Sequence, residues 1–340
     1  MGFGDALGKV MRRQDLTSDE AREAMDDIVE GRARSAQVAG LLVGLAMKGE
    51  RPAEIVGFAQ AMRARSVKLS SVPEGCVDLC GTGGDQAGTF NISSAASLVV
   101  AACGVPVAKH GNRSVSSRCG SADVFEALGV QAAAPPPVVE RCLHDVGMAF
   151  FFAPVFHPSM RNVAEVRREL AVRTAFNLLG PLTNPTAPRR QLVGVPKPEL
   201  TELIARSLGL LGSERVWVVH GADGLDEIST TGYTKVSECR DGKVNTFYIH
   251  PVELGLEKVP TSALVGGDAA TNAAIVRGVL AGERGPARDV VMLNAAAVLF
   301  IAGKVARLRE GLALAAEAID SGRARQVLER LAACSAGAAN

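Results

Sequence analysis

Apolar residues recur at helical spacing through the first 70 positions, and then the rhythm changes. Between Ser35 and Lys48, Val38, Leu41, Leu42 and Leu45 fall on one helical face, and Gly49 supplies a stop. Upstream, Ser18 to Glu30 opens with Thr17 or Ser18 as N-cap and carries acidic residues in its first turn, which is the pattern of a helix start. Downstream, Pro52 stands near the start of a third helix reaching about Arg65. Three short helices with brief connections predict a small all-helical domain over residues 1–70.

After Pro73 short β-type runs alternate with helical ones. Strands are expected at Cys76 to Leu79, Val105 to Ala108, Met148 to Phe152, Gln191 to Val195 and Arg215 to His220. Helices are expected between them, at Ser93 to Cys103, Ser121 to Leu128, Pro137 to Val146 and Pro198 to Leu211. This alternation predicts an α/β domain over residues 74–340 with a central, largely parallel sheet. Met160 to Leu179 is helix-like again and ends in Gly180-Pro181, so a segment near 160–180 is read as returning to the helical domain. Tyr233 to His250 has the pattern of a hairpin turning at Asp241-Gly242. Two or three helices close the chain, at about Asp268 to Ala281, Ala287 to Gly303 and Lys304 to Ala333.

Composition narrows the class without changing the fold. The chain has 340 residues, long enough for two domains, and its 47% apolar content supports a large core. A net charge of +1 with interspersed signs argues against a nucleic-acid partner. The seven cysteines show no CxxC spacing and are read as buried free thiols of a reducing compartment. Met1 to Gln14 has no apolar core ahead of a cleavage site, and runs such as Leu293 to Ala302 are too short to cross a bilayer. The expectation is a cytoplasmic protein with no membrane partner.

Candidate chemistry concentrates in two loops. The first, Asp78-Leu79-Cys80-Gly81-Thr82-Gly83-Gly84-Asp85 running on to Thr89-Phe90-Asn91-Ile92-Ser93-Ser94, joins a strand to a helix. Its glycines let backbone N–H groups approach an anion, and the helix N-terminus adds a favourable dipole. Taken alone, such a stretch reads first as a tight turn with Ser93 as helix cap. It is neither a Walker A loop nor a dinucleotide fingerprint. The second stretch, Lys109-His110-Gly111-Asn112-Arg113-Ser114-Val115-Ser116-Ser117 followed by Gly120-Ser121-Ala122-Asp123, comes after the next strand, where ligands of open α/β sheets bind. A solvated basic loop capping the next helix is the alternative, and the pairing with the first loop disfavours it.

Together with NVAEVRREL, FNLLGPLTNP, HGADGLDE, GGDAATNA and VMLNAAAVL, in this order along nearly the whole chain, these motifs closely resemble anthranilate phosphoribosyltransferases. The resemblance implies the fold shared with pyrimidine nucleoside phosphorylases, a small helical domain beside a larger α/β domain, and a homodimer. It implies transfer of the phosphoribosyl group of phosphoribosyl pyrophosphate to the amine of anthranilate, in tryptophan biosynthesis, with Mg2+. It places Gly81, Gly84, Asp85, Thr89, Asn91, Ile92, Ser93 and Ser94 around the donor's pyrophosphate and ribose. Lys109, His110, Gly111, Asn112, Arg113, Ser114, Val115, Ser116 and Ser117 form the second loop over it, with Ser121 adding a polar contact.

Magnesium ligands by the same resemblance are Asp226, Glu227 and Ser93; a bare Asp-Glu pair would otherwise read as a solvated acidic turn. Arg167 takes the position that binds the acceptor's carboxylate, where paired guanidinium N–H groups suit two oxygens, and Asn112 contacts the acceptor too. The alternative for Arg167 is a surface salt bridge with Glu165 or Glu169. His110 and His157 rank lower, as channel residues or structural histidines. Two departures from the family pattern are mild: Ser94 replaces Thr, and Cys119 replaces Ser as a neighbour of shape, not a nucleophile. The expected catalysis is electrostatic and positional, without covalent intermediate. A nucleoside phosphorylase needs neither this glycine loop nor a carboxylate-binding Arg167. A nucleic-acid-binding homologue that had lost activity would show a basic face and a damaged acceptor site.

Overall fold

Thr17 begins the second helix as the N-terminal pattern requires: its Oγ1 accepts from Glu20 N at 3.2 Å, and the Glu20 carboxylate accepts from Thr17 N at 3.0 Å. The protein is described here from a computed structural model, which covers residues 2–85, 87–114 and 118–337. The helical part has four helices, α1 (Phe3–Met11), α2 (Ser18–Val29), α3 (Ser35–Lys48) and α4 (Pro52–Ala64). The last three lie where the sequence places them. The first was not expected, because Gly4 and Gly8 weaken a nine-residue helix. Packing overrides that weakness, since Phe3, Ala6 and Val10 are all buried in the core shared with α2, α3 and α4.

Seven strands form one sheet: β1 (Val77–Gly81), β2 (Val107–Gly111), β3 (Met148–Phe152), β4 (Arg190–Gly194), β5 (Arg215–Gly221), β6 (Thr234–Arg240) and β7 (Lys243–Ile249). Their order is β3-β2-β1-β4-β5-β6-β7, and all neighbours from β3 to β5 are parallel. The last two strands, β6 and β7, form the expected antiparallel hairpin, with Asp241 and Gly242 at φ 50° and 76°. The fold is therefore a helical domain plus a larger α/β domain with a mostly parallel sheet. Strand order reverses direction at β1, whose neighbours are β2 and β4. In open α/β sheets the crevice at such a switch point, beyond the carboxyl ends of the strands, is where ligands bind.

The sheet divides two apolar cores by the alternation of its side chains. Leu192, Trp217 and Val219 point into one core, with Val77, Leu79, Val107 and the helices of the α/β domain. Val193, Val216 and Val218 point into the other, which is continuous with the apolar faces of α1 to α4. Val163, Val166, Phe176, Leu178, Leu179 and Leu182 join that second core, so the segment after β3 packs among the N-terminal helices.

Three sequence expectations need correction. Met160 to Leu179 is not one helix: Arg161–Leu170 ends at Ala171, which is left-handed at φ 49°, and a short helix resumes at Phe176–Leu179. The final stretch breaks at Gly322, φ 76°, into Leu308–Asp320 and Arg323–Ser335. The strand β2 extends to Gly111, so Lys109, His110 and Gly111 belong to the sheet and not to the loop. None of the seven cysteines is joined in a disulfide, and among the described residues no helix is long and apolar enough to cross a membrane.

Candidate active site

Beyond Gly81 the chain loops through Gly83 and Gly84, at φ 68° and 85°, before helix α5 (Ile92–Ala102) begins. Across the switch point, the turn after β5 brings Asp226 and Glu227 against both ends of this loop. Asp226 presses on Gly81 and Gly194, and at either position a β-carbon would collide with it. Its Oδ2 accepts from Gly83 N at 2.9 Å, and Glu227 Oε1 accepts from Ser93 N at 3.1 Å. Two donors suited to an anion thus hold the protein's own carboxylates. From the far side, Asn294 fixes the turn by accepting from Ile228 N at 3.0 Å and donating to Ile228 O at 2.9 Å.

The charges here are crowded. Removal from bulk water, first, and then Asp85 push Asp226 above the usual carboxylate range. Glu227 is raised by the same withdrawal from water and by Asp226. Lys109 partly offsets them. Its side chain is almost fully buried, donating from Nζ to Leu79 O at 2.6 Å and Ser93 Oγ at 3.2 Å. The strand position of Lys109 thus directs its ammonium beneath the glycine loop, at the floor of the cleft. Asp78, wholly buried on β1, accepts from Asn184 Nδ2 at 2.9 Å and His110 N at 3.2 Å, which ties β1, β2 and the Asn184 turn together.

Among the described residues no cluster of three or more His, Cys, Asp or Glu forms a ready-made metal cage. That suits magnesium, which takes few protein oxygens and keeps water and phosphate as its other ligands. Asp226 and Glu227, with Asp85 beside them, place carboxylates at the cleft that Lys109 and two backbone N–H groups compensate only in part, and Ser93 lines the same wall. The residues fit a hard divalent cation.

The cleft has a volume of about 1010 Å³. Gly81, Gly84, Asp85, Thr89, Asn91, Ile92, Ser93, Ser94, Lys109, His110, Gly111, Asn112, Arg113, Ser114, Ser121, Arg167, Asp226 and Glu227 all line it. Val115, Ser116 and Ser117 lie outside the described residues. Two placements alter the reading of the second loop. Arg113 is committed to the helix Ser121–Ala127, pairing with Asp123 at 2.9 Å and Glu126 at 2.6 Å. Asn112 turns its Oδ1 back to accept from Arg113 N at 2.8 Å, and its carbonyl accepts from Ser121 Oγ at 3.3 Å.

The opposite wall is drier. The Arg167 guanidinium lies 5.4 Å from the Phe176 ring centre, and burial lowers its pKa. The ion pair with Glu165 is made by Arg168, at 3.5 Å, and Arg167 has no ion pair among the described residues. His110 and His157 stand edge to face, ring centres 5.3 Å apart. His110 Nδ1 meets Gly180 O at 3.1 Å, while the Nε2 atoms of both rings are buried without a partner among the described residues. Burial pushes the two down to about 3 and about 4, so both are neutral at pH 7.

Two cleft residues had escaped the sequence reading. Arg173 lies over the glycine loop, where a β-carbon at Gly84 would overlap its guanidinium, and it faces Asp226 and Asp85. Asn272 donates to Asn91 Oδ1 at 3.0 Å and accepts from Gly267 N at 2.7 Å, fastening the start of α5 to the segment before the helix Ala269–Leu280. The GGDAATNA run was the only signal for Asn272. Cys119 neighbours Asn91, its Sγ 3.3 Å from Asn91 Oδ1, and burial raises the thiol to about 11.

A helical bundle packed on a parallel sheet, with a glycine loop and an acid pair at the switch point, defines a glycosyltransferase of two-domain type. The chain matches the glycosyl transferase family, helical bundle domain, over residues 4–66 and its a/b domain over residues 74–325. The anthranilate phosphoribosyltransferase of Moorella thermoacetica is 54% identical over 327 residues, 96% of each chain. That of Thermus thermophilus superimposes with a TM-score of 0.92 at 46% identity, covering 98% of this chain and 99% of its own. The Saccharomyces cerevisiae enzyme, solved in complex with PRPP and Mg, gives 0.89 at 27% identity with 98% of each chain covered. Solved in complex with 4-fluoroanthranilate it gives 0.87 at 26%, with 99% of each covered. The chain belongs to the anthranilate phosphoribosyltransferase family.

Proposed function

We infer that this chain transfers the phosphoribosyl group of phosphoribosyl pyrophosphate (PRPP) to the amine of anthranilate, releasing pyrophosphate. The observation that carries this reading is the meeting, in one cleft, of a glycine loop with an acid pair and a half-buried guanidinium that has no carboxylate partner among the described residues. The donor's phosphates belong on the glycine-loop side, among the N–H groups at Gly83 and Ser93 and the hydroxyls of Ser93 and Ser94. Ser94 Oγ is buried without a partner among the described residues, which leaves it for a ligand. Asp226 and Glu227, with Ser93, would hold magnesium, which when bound supplies positive charge to the departing pyrophosphate. Lys109 stabilises this acid pair from below and holds Ser93 Oγ in place.

On the other wall Arg167 pairs with the acceptor's carboxylate, and Asn112 and the two neutral histidines frame the ring. The anthranilate amine is itself neutral at pH 7, so the residues need only orient it and exclude water. Val115, Ser116 and Ser117 are assigned to the donor with the rest of their loop. A homodimer through the helical domain accords with the exposed Met11 and Met47 on α1 and α3. A cytoplasmic place, with neither nucleic acid nor membrane as partner, accords with the near-neutral charge.

The test is anthranilate fluorescence with purified protein, PRPP and magnesium, with pyrophosphate release followed in parallel. Signal loss that needs all three components and matches the pyrophosphate formed is expected. Absence of turnover, or turnover without magnesium, would overturn the corresponding part of the reading.

A further inference from the structure

We propose that Arg173 is a pyrophosphate-binding residue of the donor site, held in waiting by the acids that bind the cation. The proposal rests on the reading of the donor as PRPP. Arg173 stands in the irregular stretch between Arg161–Leu170 and Phe176–Leu179, immediately after the left-handed turn at Ala171. That break lifts the side chain out of the helical wall and over the glycine loop. Gly84 is the residue beneath it, and only the missing side chain leaves room for the guanidinium.

Partial burial lowers the pKa of Arg173, and the charges facing it, Asp226 and Asp85, oppose that shift. Yet among the described residues it completes no ion pair within 4 Å and makes no hydrogen bond. Arg113, by contrast, is fully engaged with Asp123 and Glu126. A planar guanidinium poised above anion-binding N–H groups, without fixed partners, matches an incoming diphosphate better than any structural role.

The state described here is self-satisfied. Gly83 N and Ser93 N donate to the acid pair, and Arg173 answers part of the remaining negative charge. Asp226 and Glu227 would hold a divalent cation, whose charge would weaken the attraction of Asp226 for Arg173 and leave a pyrophosphate on the loop as the stronger partner. In transfer, the bond from ribose C1 to the pyrophosphate oxygen breaks and its electron pair leaves with that oxygen, while the amine nitrogen bonds to C1 and gives up one proton to the departing pyrophosphate or to water. Arg173 exchanges no proton and stays charged throughout. Its contribution is to the charge that builds on the leaving group.

Because Arg173 competes with a cation but assists the donor, its removal should have effects of opposite sign. In Arg173→Ala, magnesium alone should bind the donor-free enzyme severalfold more tightly by calorimetry. The KM for PRPP and the concentration of pyrophosphate giving half inhibition should each rise about tenfold or more, as for a lost charge-assisted hydrogen bond. The KM for anthranilate should stay within about twofold, since Arg167 serves that substrate. Arg173→Lys, which keeps the charge and loses the planar fork, should fall between.

Unchanged PRPP and pyrophosphate affinities in a folded Arg173→Ala would overturn the proposal. So would a change confined to anthranilate, or parallel weakening of magnesium and donor, which marks a merely structural part. Should the wild type fail to join PRPP to anthranilate, that failure belongs to the proposed function. Binding of magnesium pyrophosphate to wild type and Arg173→Ala would still decide the role of Arg173.

Discussion

The two walls of the cleft solve the problem of buried polarity in opposite ways. On the glycine-loop wall the acids and the lysine have partners supplied by the protein, Asp226 on Gly83 N, Glu227 on Ser93 N, and Lys109 on Leu79 O and Ser93 Oγ, while the Thr82 and Ser94 hydroxyls have none among the described residues. On the Arg167 wall the groups are few and left open, with a guanidinium against a phenyl ring and two imidazole nitrogens without partners. Ligand binding on the first wall is an exchange of partners, so it should depend on metal, pH and ionic strength. On the second wall binding fills vacancies in a preformed, low-dielectric pocket, and should depend mostly on the fit of one acceptor.

The largest effect should come from the acids. Asp226→Ala with Glu227→Ala removes the cation's carboxylates, and turnover should fall by about 100-fold or more with the fold intact, as for loss of a major electrostatic element. Circular dichroism and a coupled pyrophosphate assay check both halves of the statement, and full activity would end the metal assignment. Arg167→Ala comes next. The KM for anthranilate should rise about tenfold to a hundredfold, the scale of a buried charge-assisted pair, with little change in the KM for PRPP. If both constants moved together, the division of the cleft into two independent walls would be wrong.

A pH experiment sharpens the contrast. Asp226 and Glu227 are raised first by withdrawal from water, and then by Asp85 in the case of Asp226 and by Asp226 in the case of Glu227. Folded-state values above the unfolded ones mean that the cation-free fold holds extra protons between about pH 4 and neutrality. Their stability contribution is therefore present at low pH and lost as pH rises through the raised values. Without magnesium, melting temperature measured against Glu227→Gln should fall by about 2 °C between pH 5 and pH 8, and saturating magnesium should abolish the difference. Magnesium affinity itself should weaken as pH drops below 7. The acceptor wall should show no such dependence, because His110 and His157 are already neutral across this range.

What the sequence reveals follows the same division. Elements with a single unambiguous period were legible: β3 fills Met148–Phe152 as expected because a run buried on every residue tolerates no polar position. The hairpin was legible too, since Asp241-Gly242 supplies two left-handed residues in succession. Harder were places where packing overrules propensity, as in α1. Harder still were charges buried inside the sheet. Asp78 and Lys109 sit on adjacent central strands; Asp78 falls inside its expected strand, Lys109 reads as the loop beyond one, and the hydrophobic pattern announces the burial of neither charge. Arg173 was invisible for a related reason: a helix assumed continuous from Met160 to Leu179 makes it a solvent-facing residue, and no Gly or Pro announces the turn at Ala171.

Cys119 tests the donor wall at its least demanding point. The thiol neighbours Asn91, whose side chain also takes a hydrogen bond from Asn272 at 3.0 Å, so it belongs to the network that fixes the start of α5. Burial keeps it protonated near neutral pH, and a protonated thiol is a poor nucleophile. A hydroxyl in its place is shorter but donates to the same Asn91 oxygen, so the network should survive. Cys119→Ser should therefore change kcat/KM by less than about twofold for either substrate, a loss of well under 1 kcal/mol. Collapse of turnover in a folded Cys119→Ser protein would mean that the thiol reacts, and that covalent chemistry replaces the exchange of electrostatic partners on which the comparison of the two walls depends.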